Sequence, residues 1–156
     1  VFRRGIRIGL VLALAPFVLS GCFLNTPTNL VKRFVGMIKR LQWDNMEQII
    51  DWPSSERALG KRLRGDRREF LTELAECITG YSIAFYGKER ARSNFSFFKV
   101  RKAEYLEKTE KTARLSVTIK LTKEQSKTVE ITTVKVGRTW RIVLTPNLLE
   151  KKFIMY

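Results

Sequence analysis

The chain has 156 residues, of which 44% are hydrophobic and 29% charged. That is enough apolar material for one domain with a core, and it excludes a disordered tail. Thirty basic residues stand against 15 acidic ones, for a net charge of +15, and there is no histidine. The charge biases the protein toward anionic partners, and the missing imidazole removes the usual general base, the Ser-His-Asp arrangement and the commonest metal ligand.

The first element is a targeting segment. Arg3, Arg4 and Arg7 precede the apolar run from Ile8 to Leu19, and Leu19-Ser20-Gly21-Cys22 follows directly. The run is shorter than the ~20 apolar residues needed to span ~30 Å of hydrocarbon. This order resembles the signal peptide and lipobox of bacterial lipoproteins. The resemblance implies cleavage between Gly21 and Cys22, diacylglycerol on the Cys22 thiol, and attachment to a membrane through that lipid. The protein would then sit in the bacterial cell envelope, facing the periplasm or the exterior. Phe23 stands after the cysteine, where Asp is associated with inner-membrane retention, so sorting leans to the outer membrane. Residues 1–21 are read as signal peptide, 22–26 as lipidated tether and 27–156 as one domain. Residues 1–21 contribute three arginines and no acid, so the remainder keeps 27 basic against 15 acidic residues, a net +12. With Cys22 lipidated no disulfide to Cys77 forms, and Cys77 reads as a buried core cysteine.

Helical patterns open the domain. Thr26 is a good N-cap with Pro27 at the first helical position, and Leu30, Val31, Phe34, Met37, Ile38 and Leu41 make one apolar stripe. A second short helix is expected from Asp44 to Asp51, stopped by Pro53. A third is expected from Ser54-Ser55-Glu56 to Leu63, interrupted by Gly60. Asp66 followed by Glu69 resembles a capping box before the stripe Phe70, Leu71, Leu74, Ala75 and Ile78, and Gly80 supplies the stop.

After Gly80 the period changes to two. Tyr81, Ile83 and Phe85 alternate, then Phe95 and Phe97, then Phe98 and Val100, then Ala103 and Tyr105. Leu115, Val117, Ile119 and Leu121 form the cleanest strand; Val129 and Ile131 give way to Val134 and Val136; Trp140, Ile142 and Leu144 close the series. Phase slips near Phe97, Arg101 and Thr132 call for β-bulges and hence a curved sheet. Turns fit at Lys108 to Lys111, Lys123 to Ser126 and Gly137-Arg138. The fold class is therefore α+β, with amino-terminal helices packed on a curved antiparallel sheet.

Three stretches carry a further resemblance: Leu41-Gln42-Trp43-Asp44-Asn45-Met46, Lys111-Thr112-Ala113-Arg114-Leu115-Ser116-Val117, and Val136-Gly137-Arg138-Thr139-Trp140-Arg141-Ile142 with its Gly-x-x-Trp-x-Ile pattern. In that order, over roughly Pro27 to Leu144, they are similar to the nuclear transport factor two-like superfamily, specifically its bacterial secreted members of unknown function. The resemblance implies a cone-like domain with helices inside the curl of the sheet. The chain departs from it in the two helical pieces between Ser54 and Thr79 and in the tail from Pro146 to Tyr156.

Enzymes on that fold use an interior Asp, often with His or Tyr. Here Asp44, Asp51 and Asp66 read as helix caps, and only Glu104 beside Tyr105 is a candidate inward carboxylate. Cys77 alone makes no metal site, and no glycine-rich phosphate loop is present. No cofactor, no metal and no catalytic residue is expected, so the domain reads as non-enzymatic. Trp43, Trp52 and Trp140 are expected to seal the core, and one of Phe95, Phe97 and Phe98 must face outward. Among the basic clusters, Lys61, Arg62, Arg64, Arg67 and Arg68 are the candidate anionic surface, placed on the membrane or on an anionic partner beside it. Export argues against nucleic acid as the ligand. The expected function is a membrane-anchored envelope lipoprotein that binds a protein or an anionic envelope component such as a lipid or glycan. The alternative is a pocket inside the cone for a small apolar ligand or a degenerate enzyme site. The oligomeric state is not legible.

Overall fold

The computed structural model describes residues 25–150. Gly21, Cys22, the proposed signal peptide and residues 151–156 lie outside the described residues.

Helix α1 spans Pro27–Arg40. Thr26 caps it as expected, its hydroxyl accepting from the Asn29 amide at 3.2 Å. The helix ends at Leu41, held at φ 54°, where the Leu41 and Gln42 amides donate back to Ile38 and Met37. Helix α2 (Trp43–Ile49) follows, then α3 (Trp52–Leu59). Pro53 lies in the first turn of α3 and does not simply terminate α2. Asp51 rather than Ser54 caps it, with Asp51 Oδ2 accepting from the Ser54 amide at 3.1 Å. A proline lacks an amide, so an N-terminal helical position costs it nothing. Helix α4 (Arg67–Thr79) buries the expected stripe, together with Cys77. Asp66 stands at its N-cap position but its side chain makes no capping bond there, because its backbone is not extended. The anticipated capping box is therefore absent. Gly80 closes α4 at φ 70°.

The stretch after Gly80 is helical where a strand was expected. Ile83–Tyr86 forms α5, Lys88–Asn94 forms α6, and Phe95–Phe97 is a 3₁₀ turn. Local acceptors explain the difference. The Ser82 hydroxyl takes the Phe85 amide at 3.4 Å and the Glu76 carboxylate takes the Ala84 amide at 2.8 Å, so these groups need no neighbouring strand.

Four strands then form an antiparallel meander in the order β1-β2-β3-β4: Lys99–Lys108, Thr112–Lys120, Ser126–Val136 and Thr139–Val143. Pairing of β1 with β2 shifts between Val100 and Lys102 and again between Tyr105 and Glu107. The first shift is the slip expected at Arg101. The slip expected near Phe97 is instead the 3₁₀ turn. None occurs at Thr132: β2 and β3 pair without interruption from Thr112↔Val134 to Lys120↔Ser126. The inward face simply continues to Thr133, which is fully buried and donates to the Ala113 carbonyl at 3.2 Å. A satisfied hydroxyl occupies a position that alternation reserves for an apolar residue.

The helices pack on this sheet, which makes the domain α+β. Side chains of Phe34, Ile38, Leu115, Ile119, Ile131 and Ile142, each under 2% exposed, fill the space between them. Helix α1 runs antiparallel to β1, joined by the Thr28 hydroxyl to the Tyr105 hydroxyl at 3.1 Å and by Lys39 Nζ to the Ser96 carbonyl at 3.0 Å. The start of α1 thus lies beside the β1–β2 and β3–β4 turns, and its end beside the entrance to β1. Among the described residues no helix is long and apolar enough to cross a membrane.

Candidate functional site

The loop from Gly60 to Asp66 and the first turn of α4 carry the basic cluster read from the sequence. Leu63, 4% exposed, pins the loop to the core, and its amide donates to Glu56 Oε1 at 2.9 Å. The five cations do not share one role. Lys61 Nζ lies 4.8 Å above the Phe70 ring, and the Arg67 guanidinium 4.5 Å above the Trp52 ring. Arg67 Nε is buried there without a hydrogen-bond partner. Arg68 Nη2 meets Asp44 Oδ1 at 2.7 Å, both side chains mostly exposed, so the pair contributes only ~0–1 kcal/mol. Arg62 and Arg64 project into solvent. Beside them lies an open depression of about 500 Å³, lined in part by Arg57, Lys61 and Arg62.

A second basic surface stands at the start of α1, and linear reading missed it. Lys108, Lys111, Lys135 and Arg138 are all exposed. They converge because the β2–β3 register brings distant positions together: the Lys135 amide donates to the Lys111 carbonyl at 2.7 Å. Lys108, Lys111 and Lys135, with Glu110, Thr26, Pro27 and Trp140, line an open depression of about 680 Å³. Lys108 Nζ lies over Tyr105 at 4.8 Å and Lys135 Nζ over Trp140 at 5.9 Å. Asn25 reaches this end from the tether side. Its Nδ2 donates to the Arg138 carbonyl at 2.9 Å, and its Oδ1 accepts from the Trp140 amide at 3.2 Å. Spacing along the chain hides such a patch; hairpin pairing alone reveals it.

The other singled-out residues fall as follows. Trp43, Trp52 and Trp140 are all buried. Phe95 and Phe98 are buried and Phe97 is the outward one, with Lys120 above its ring. Phe85, at 80% exposed, and Tyr86 stand out from α5. Glu104 does not turn inward: it is exposed and pairs with Lys102 at 2.8 Å, while Tyr105 reaches Thr28. Asp51 is a cap, and Asp44 is the partner of Arg68.

No family model matches the chain, and no curated protein matches it. Among solved structures, the chain is similar to a Campylobacter jejuni protein described as an NTF2-like transpeptidase. The identity is 18%, the match covers 77% of this chain and 99% of that chain, and the TM-score is 0.45. A likeness at this level assigns neither activity nor ligand.

Proposed function

We propose that the protein is a membrane-anchored bacterial envelope lipoprotein, with outer-membrane sorting favoured, whose domain belongs with the nuclear transport factor two-like group. In this reading the domain binds a protein or an anionic envelope component and does not catalyse a reaction. The observation that carries the anchor is the run Leu19-Ser20-Gly21-Cys22, preceded by Arg3, Arg4 and Arg7 and the apolar segment from Ile8. Binding through charge is supported by the net +12 of residues 22–156 and by the two basic surfaces. The alternative of a ligand pocket within the cone draws no support from the side-chain-filled space between helices and sheet or from the outward Glu104.

The test is metabolic labelling with an alkyne fatty acid in a bacterial host. Label on the wild type and none on Cys22→Ala supports the reading. Label retained by the alanine variant rejects the lipobox assignment.

A further inference from the structure

We infer that the end of the domain carrying Lys108, Lys111, Lys135 and Arg138 is the face presented to an anionic bilayer, and that the far end of β1, at Lys99, is turned away from it. The inference rests on the proposed anchor at Cys22.

Chain length sets the constraint. Three residue steps separate Cys22 from Asn25, and at ~3.3–3.6 Å per extended residue they reach at most about 11 Å. Asn25 is not free to swing, because its side chain is bonded to the Arg138 carbonyl and the Trp140 amide at the turn of the last hairpin. The lipid therefore enters the membrane within roughly one tether length of the β3–β4 turn. The β1–β2 turn lies on the same side, since α1 is antiparallel to β1.

The chemistry of that end fits a surface of phospholipid phosphates. Four exposed cations face out, and of the nearby carboxylates Glu107 is already paired with Arg114 at 3.6 Å, leaving Glu110 among them. The N-terminus of α1 adds its positive end to the same region. Val136, 46% exposed, stands between Lys135 and Gly137 at the tip of the last hairpin. An apolar side chain flanked by cations is what an interfacial contact requires. Lys99, also exposed, stands at the other end of β1 from Lys108, roughly 30 Å away at ~3.3 Å per residue. That is more than two Debye lengths of ~8 Å at physiological salt, so Lys99 does not feel the same lipid charge.

The experiment uses the mature protein, extracted from membranes in detergent and reconstituted into vesicles of phosphatidylcholine, with and without phosphatidylglycerol. Lysines are acetylated briefly and read by peptide mass spectrometry, which also weighs the Cys22 peptide. In the anionic vesicles Lys108, Lys111 and Lys135 are expected to lose about fivefold in labelling relative to detergent, while Lys99 is unchanged. A lipidated Cys22 peptide with equal labelling of all four lysines overturns the proposed face and leaves the anchor intact. Protection of Lys99 alone overturns it in favour of the opposite orientation. A Cys22 peptide without lipid overturns the anchor, and the orientation falls with it.

Discussion

Ser55 shows how a single polar atom joins two halves of the core. It is fully buried on α3, donates its hydroxyl to the Asp51 carbonyl, 2.6 Å away, and accepts the Leu144 amide at 2.9 Å. Ser55→Ala leaves that buried amide with no acceptor, so a loss of about 1–3 kcal/mol is expected in urea unfolding. Ser55→Val, which adds bulk and restores nothing, should be no better. Trp140 is the apolar counterpart. It is 8% exposed and sits beneath Lys135, and its amide is one of the two anchors of Asn25. Trp140→Ala is expected to cost about 3–5 kcal/mol. A melting temperature near that of the parent chain would mean that the last hairpin does not seal the core. The sequence marked Trp140 as core and left Ser55 as part of a helix start, because burial of a hydroxyl depends on a partner 89 positions away.

Helices with long apolar stripes were legible from local pattern alone. Leu30 to Leu41 and Phe70 to Ile78 repeat over three turns, and only a helix places such residues on one face. Strand β2 was legible for the same reason, its Leu115, Val117 and Ile119 alternating without interruption. Tyr81 to Phe85 misled because three alternating residues fit a turn of helix as well as a strand, and the capping acceptors Ser82 and Glu76 decided between them. The basic end formed by Lys108, Lys111, Lys135 and Arg138 was invisible because strand register, not spacing, assembles it. Strand β1 raises a different matter, for it is an edge strand with little burial. The opposite edge, β4, is partly covered, with the Asp51 amide donating to the Ile142 carbonyl at 2.8 Å. Along β1, charged residues at Lys99, Arg101, Lys102, Glu104, Glu107 and Lys108 guard the strand instead. Charge on an exposed edge opposes pairing with another chain. Replacing the outward pair by Lys102→Val with Glu104→Val is expected to leave the fold intact and to produce concentration-dependent association in light scattering. A double variant that stays monomeric would show that the β1 bulges alone protect this edge.

In the proposed orientation the Lys108 surface faces the bilayer, and the Lys61–Arg68 cluster is the candidate surface for a partner. Lys61, Arg67 and Arg68 already serve packing or pairing, through Phe70, Trp52 and Asp44. Arg62 and Arg64 lie in the same cluster, exposed, and their charge is available to an anionic glycan or an acidic protein surface. Substituting them should leave stability within about 0.5 kcal/mol, since neither is part of the core. Arg67→Gln, by contrast, removes a cation from the face of Trp52 and is expected to cost about 1 kcal/mol. That difference separates a binding role from a structural one within a single basic cluster. In vesicles bearing the lipidated protein, capture of a fluorescent sulfated glycan is expected to weaken severalfold in Arg62→Gln with Arg64→Gln. Capture by the intact protein should fall as salt shortens the Debye length from ~30 Å at 0.01 M to ~8 Å at 0.15 M. Arg67→Gln should lower the melting temperature while retaining most of the capture, because Arg62 and Arg64 remain. Capture unchanged in the double variant, with salt dependence intact, would locate the glycan contact elsewhere on the domain and leave Arg62 and Arg64 as solubilising charge.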